Sequence, residues 1–203
     1  MSRFIKFYYG MSGTFKATTI NTEISNLSRP YIFMNSAIKQ WKVWEKNLFH
    51  ELNKPSDINL GLLHLCRLSD HVRESLNKKD IEVMYVERGV SDMMFYWSGL
   101  KDSTPIEDMV VNAVKQESSI CKEGNYIPVK TLLIQKDQKF ISDVILREPS
   151  RRECFPSVEQ YLEAQDKYIE FTRKYNDISE EIIIEDAERY ITNDLGLTFN
   201  INA

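Results

Sequence analysis

Three residues near the amino terminus have the types and spacing to hold phosphate. In the stretch GMSGTFKATT, residues 10–19, Gly10 and Lys16 stand as they do in a phosphate-binding loop of the form G-x-x-x-x-G-K-[ST]. Gly10 and Gly13 permit a tight turn. The backbone N–H groups of such a turn, followed by a helix N-terminus, point partial positive charge at an anion. Lys16 adds a mobile cation that can reach the terminal phosphates of a nucleotide. The candidate phosphate-binding residues are Gly10, Met11, Ser12, Gly13, Thr14, Phe15, Lys16, Ala17 and Thr18. Two of them depart from the pattern. Phe15 stands where the second glycine belongs, and Ala17 stands where a hydroxyl ordinarily serves Mg2+. Thr18 follows one residue later. The motif alone leaves open a working site, an altered site and a relic.

Such a loop needs a strand before it and a helix after it, and both are legible. RFIKFYY (3–9) is β-rich and ends at a glycine; KATTINTEISNL follows with Ile20, Ile24 and Leu27 on one helical face. YIFM (31–34) reads as a second strand. Residues 38–52 read as a helix anchored by Ile38, Trp41, Leu48 and Leu52, and residues 58–76 as a long amphipathic helix. Strands are expected at 81–87, 129–135 and 181–186, a helix at 155–175 and a last helix over AERYITNDL. Strands alternating with helices imply a parallel sheet covered on both faces. Ligands of such sheets bind beyond the carboxyl ends of the strands. That rule brings together residues 10–18, 35–41, 87–92 and 185–187.

The bulk properties narrow the classes. A chain of 203 residues suits one domain, here 1–203, and 42% hydrophobic residues can fill its core. A net charge of −4 without a basic tract gives no strong nucleic-acid signal. Cys66, Cys121 and Cys154 are scattered, so neither a disulfide framework nor a zinc site is indicated. No apolar run approaches the roughly 18 residues of a membrane span, and MSRFIKFYYG has no signal-peptide core. A reducing cytoplasm is the expected location.

Four segments in order resemble the deoxynucleoside kinase and thymidylate kinase superfamily. They are the loop, VMYVERGVSDMMFY (83–96), TLLIQKDQKFISDVILREPSRREC (131–154) and FPSVEQYLEAQDKYIEF (155–171). The resemblance implies a three-layer α/β P-loop kinase fold with a small Arg-rich lid near 147–154. It implies ATP and Mg2+ as cofactors, and a nucleoside or nucleoside monophosphate as substrate, with a homodimer left open as the assembly. Lys16, Glu87, Arg88, Arg147, Arg151 and Arg152 are the catalytic residues it implies. Glu87 would lie near Mg2+ through water, Arg88 would hold the acceptor end, and the three lid arginines would close over the phosphates. These roles suit phosphoryl transfer, in which positioning and cationic stabilisation carry most of the catalysis.

YIFMNSAIKQW (31–41) is similar to the family's second strand and the Glu-Pro-x-x-x-Trp after it. On that alignment Ser36 replaces the glutamate that takes the proton from a 5′-hydroxyl, and Ala37 replaces the proline. Trp41 would wall the nucleoside pocket. His64 stands where the family places a base-reading glutamine. Asp92 could contact the sugar, although Met93 replaces the arginine expected beside it. A monophosphate is already anionic and needs no general base, so Ser36 favours that acceptor; similarity in the ERG and lid segments favours the nucleoside. Two classes stay open. One is an ATP-dependent kinase of a deoxynucleoside or its monophosphate. The other is a kinase-derived nucleotide-binding or regulatory protein, weak or inactive in catalysis. An interaction module that kept only the fold would leave the surviving charges unexplained.

Overall fold

The computed structural model describes residues 2–36, 57–78, 80–98 and 107–189. The expected helix at 38–52, with Trp41 in it, lies outside them, as does the end of the expected last helix.

Five strands among the described residues form one parallel sheet: β1 (Arg3–Tyr9), β2 (Tyr31–Met34), β3 (Val83–Glu87), β4 (Tyr126–Gln135) and β5 (Glu180–Ile184). Their order is β2-β3-β1-β4-β5. Side chains of a strand alternate between faces, and here the alternation sorts residues into two cores. Ile5, Phe7 and Tyr9 of β1 join Ile32, Met34, Met84, Val86, Leu132 and Ile134 on one face. Tyr8, Tyr85 and Leu133, one residue out of step, pack on the other. The central strands are thus apolar on both sides, as a covered parallel sheet requires.

Six helices are needed below. They are α1 (Lys16–Ser25), α2 (Asp57–Asn77), α3 (Val90–Ser98), α4 (Glu107–Glu123), α5 (Pro149–Cys154) and α6 (Val158–Tyr175). Helices α3 and α4 were not among the expected elements. The segment expected as a lid contains α5, with Pro149 at its first turn, where a missing N–H costs nothing. Helix α6 starts later than the expected 155, because Ser157 caps it by accepting from the Gln160 N–H. Strand β4 starts at Tyr126, three residues before the expected position, and β3 starts at Val83, two after it.

The crossovers define the crevice. Helix α1 leaves β1 on the Tyr8 face, with Ile20 in that core. Helix α3 leaves β3 on the opposite face, where Phe95 is buried. Neighbouring parallel strands whose helices go to opposite faces open a crevice at their carboxyl ends, the usual ligand position in such sheets. Tyr8 pairs with Glu87 there, so the loop after β1 and the Arg88 turn after β3 flank one crevice.

Candidate functional site

The loop after β1 is built and clamped. Gly10 has φ 147, and a Cβ there would run into Thr14 Oγ1 and lie 2.8 Å from the Leu133 carbonyl oxygen. Only glycine allows that approach without a shift. Lys16, at the start of α1, is buried; its Nζ donates to the Gly10 and Met11 carbonyls, each at 2.7 Å, and lies 3.3 Å from Thr14 Oγ1. The cation is therefore held within the loop that would receive phosphate. Helix α6 ties the loop from behind. The Gly10 N–H donates to the Tyr168 hydroxyl at 2.8 Å, and the Tyr161 hydroxyl donates to the Ser12 carbonyl at 2.7 Å. Gln135 at the end of β4 donates to the Gly13 carbonyl at 3.3 Å.

Phe15 occupies the position of the missing glycine in a backbone conformation that favours glycine. Its φ is 55, in the left-handed region, and it is the N-cap of α1 without a side-chain cap. Its ring packs on Phe140, centroids 4.9 Å apart. The packing offsets a backbone strain of about 1–2 kcal/mol. Removing the ring loses packing in any variant, but only glycine also removes the strain. Phe15→Gly is therefore expected to be more stable than Phe15→Ala by about 1 kcal/mol. Urea unfolding of the two variants checks this, and an alanine variant at least as stable as the glycine one would contradict it.

Across the crevice stand the β3 residues. Glu87 is buried, and its Oε2 accepts the Ser36 N–H at 3.3 Å. The end of β2 and the end of β3 are thus joined at the expected place. Arg88 has φ 76, and its Nη1 donates to Asp92 Oδ1 at 2.7 Å. The other oxygen of Asp92 accepts from the Tyr168 hydroxyl at 2.8 Å. An unbroken chain of hydrogen bonds therefore runs Arg88–Asp92–Tyr168–Gly10, from the β3 turn to the loop. Burial and the nearby Asp92 push the Tyr168 phenol far above its ordinary range, so it stays protonated and can donate to the carboxylate.

The arginines of the expected lid differ in their surroundings. Arg147 and Arg152 are exposed. Arg151 is half-buried and pairs with Glu148 at 2.8 Å. Burial raises the Tyr161 phenol, and the cations of Arg151 and Arg88 pull against it.

His64 is fully buried on α2, with Nε2 3.0 Å from Glu117 Oε2. Its Nδ1 is buried without a hydrogen-bond partner among the described residues, so a base-reading role would fall to that nitrogen. The stretch 185–187 is linked to the loop indirectly. The Ala187 N–H donates to Asp137 at 2.9 Å, the Asp137 N–H donates to Gln135 at 3.0 Å, and Gln135 reaches Gly13. Beside this link lies a cleft of about 350 Å³ lined by Phe140, Lys139, Val144, Glu185, Asp186 and neighbouring acids.

Several residues of this site were not singled out from the sequence: Tyr161, Tyr168, Gln135, Arg67 and Glu117. Tyr161 and Tyr168 sit seven apart on one face of α6, which reads as ordinary core spacing. Arg67 on α2 donates to both the carbonyl and the side chain of Asn35, each at 2.8 Å, and burial lowers its pKa from the ordinary value.

Among solved structures the chain is similar to a thymidylate kinase from Candida albicans, with a TM-score of 0.56 at 14% identity over 94% of this chain and 88% of that one. A thymidylate kinase from Ehrlichia chaffeensis matches with a TM-score of 0.45 at 11% identity, over 92% and 88%. No protein-family model and no curated protein sequence matches the chain. The likeness establishes the fold: a parallel α/β sheet of the P-loop kinase kind, flanked by helices. Among the described residues no helix is long and apolar enough to cross a membrane.

Proposed function

We propose that this protein is an ATP- and Mg2+-dependent phosphotransferase acting on a deoxynucleoside monophosphate, with the free deoxynucleoside as the slower acceptor. The observation that carries this reading is the register of β1 and β3, which sets the loop holding Lys16 and the turn holding Glu87 and Arg88 at the same end of adjacent strands. The loop offers backbone N–H groups, a helix N-terminus and a cation to the phosphates of the donor. Arg88 offers a guanidinium, whose planar fork suits a phosphate, and Asp92 fixes its direction.

Glu87 suits a magnesium site of the kind that takes one carboxylate, water and substrate phosphates. It is a buried carboxylate at the end of β3, beside the Ser36 N–H. Mg2+ bound with the nucleotide would neutralise charge on the phosphate oxygens. The chain's own work is to orient: Lys16 and the loop hold the donor, Arg88 holds the acceptor, and the lid arginines exclude water and add charge. A monophosphate acceptor attacks through an oxygen that is already ionised, so Ser36 need not act as a base.

A second reading keeps nucleotide binding without turnover. The burial of the Lys16 ammonium among its own loop carbonyls favours it. A coupled assay with ATP, Mg2+ and a panel of acceptors separates the two.

The lid arginines give a further expected result. Replacing Arg147, Arg151 and Arg152 together by alanine should lower turnover by about 10²-fold or more. Stability should change by less than about 1 kcal/mol, because exposed charges and their surface pairs contribute little. Turnover equal to that of the unaltered protein would remove these residues from the site.

A further inference from the structure

Glu117 lies on α4, far in sequence from every segment of the crevice, and is almost fully buried. A carboxylate buried without work to do is costly. Its Oε2 accepts from the Val90 N–H at 2.7 Å and faces His64 Nε2 at 3.0 Å; its Oε1 lies 3.9 Å from Lys130 Nζ. Burial acts to raise its pKa, but the His64 bond, the Lys130 charge and the Val90 N–H prevail and hold it below the usual value. The group is ionised and accepts only, so the imidazole Nε2–H must donate to it.

Val90 is the first residue of α3. Its N–H is one of the donors that a helix start leaves without an internal partner. Between Glu87 and Val90 stand only Arg88 and Gly89. Arg88 is in the left-handed region, and its N–H donates to the Tyr8 carbonyl at 3.0 Å. Gly89 lies against the Tyr9 hydroxyl, where a Cβ would collide. The turn is thus held at three successive residues: by β1, by Tyr9 and by Glu117. A second link reaches the same first turn of α3. Lys130 Nζ donates to Asn176 at 2.9 Å, and Asn176 donates to Ser91 Oγ at 2.8 Å.

We infer that Glu117 is a positioning residue: from α4 it caps the start of α3, and with His64 and Lys130 it fixes the turn that presents Arg88 at the acceptor end of the crevice. This rests on the phosphotransferase reading for the role of Arg88. The placement of the turn does not depend on it.

The test uses the full chain in three forms. Glu117→Leu combined with Lys130→Met removes the carboxylate and its cation, and Lys130→Met alone measures what the Lys130–Asn176–Ser91 link contributes. Glu117→Gln keeps an amide oxygen that can still accept from Val90. Amide hydrogen exchange is read in peptides covering 86–95 and 10–20, alongside steady-state kinetics for each substrate. In the double variant, exchange at 86–95 is expected to rise about tenfold, as loss of a hydrogen bond to a charged acceptor implies. Exchange at 10–20 should stay unchanged. Acceptor kcat/KM should fall by about 10²-fold, the scale of a misplaced binding group, with the KM for ATP unchanged. Glu117→Gln should restore most of both readings. Unchanged exchange at 86–95 in the double variant overturns the inference, whatever the activity, and so does an equal rise in Lys130→Met alone. So does an equal loss toward ATP and acceptor, which is what general loosening of the core would give. If exchange rises as stated but the unaltered protein phosphorylates nothing, the phosphotransferase reading fails and the positioning of the turn stands.

Discussion

ATP at about 100 times its Kd is expected to raise the unfolding free energy by about 2.7 kcal/mol, and Lys16→Ala is expected to remove most of that gain. For a chain of about 200 residues this corresponds to a Tm increase of roughly 5–10 °C. The expectation follows from the loop's construction. Lys16 Nζ is already beside the Gly10 and Met11 carbonyls, so it needs only to exchange carbonyl partners for phosphate oxygens. The alanine variant should fold, because the loop keeps its ties to Tyr168, Tyr161 and Gln135. Thermal unfolding with a nucleotide panel, with and without Mg2+, measures the shift. If no nucleotide moves the Tm of the unaltered protein, the loop is not a nucleotide site. An equal shift in the Lys16→Ala variant would mean that the nucleotide binds elsewhere.

At least one deoxynucleoside monophosphate is expected to be phosphorylated faster than every free deoxynucleoside. The reason lies at Ser36. It stands at the end of β2, joined by its N–H to Glu87, where the resemblance places a general base. A serine hydroxyl does not take a proton at neutral pH, and a general base is typically worth ~10²–10⁴-fold in rate. A nucleoside acceptor loses that help; a monophosphate does not need it. Ser36→Glu should then raise turnover on nucleosides while leaving monophosphates little changed. Asp92 is the rival base, and the structure sharpens its test. Both of its oxygens are engaged, with Arg88 and with Tyr168. Asp92→Asn should therefore weaken both acceptor classes through Arg88. A loss confined to nucleosides would instead assign Asp92 as the base. Faster turnover on a nucleoside than on any monophosphate would reverse the acceptor order proposed here. Nucleotide binding without transfer to any acceptor would favour the regulatory reading.

The sequence by itself determined the sheet and the two sides of the crevice. Runs such as RFIKFYY and VMYVE are apolar on both faces, which a central parallel strand requires, and their ends place Gly10 and Glu87 without further information. Gly10 and Lys16 mark the loop because they stand at the spacing of a phosphate-loop pattern, and Gly13 permits the turn between them. Helices α3 and α4 were not legible in the same way. Helix α3 begins directly after the Arg88 turn with VSDMMFYWS, whose apolar residues form a continuous run rather than a stripe. Glu117, within KQESS of α4, reads as one more surface carboxylate. Its burial against His64, Lys130 and Val90 joins residues 53, 13 and 27 positions away in the chain. Phe15 marks the same limit. Its identity contradicts the loop pattern, yet the folded chain holds it at a left-handed φ that favours glycine and places its ring on Phe140. Local spacing can specify a strand, a helix face or a loop, because those depend on neighbours in sequence. The partner that stabilises a buried carboxylate or offsets a strained φ comes from a distant segment, and tertiary packing alone brings it there.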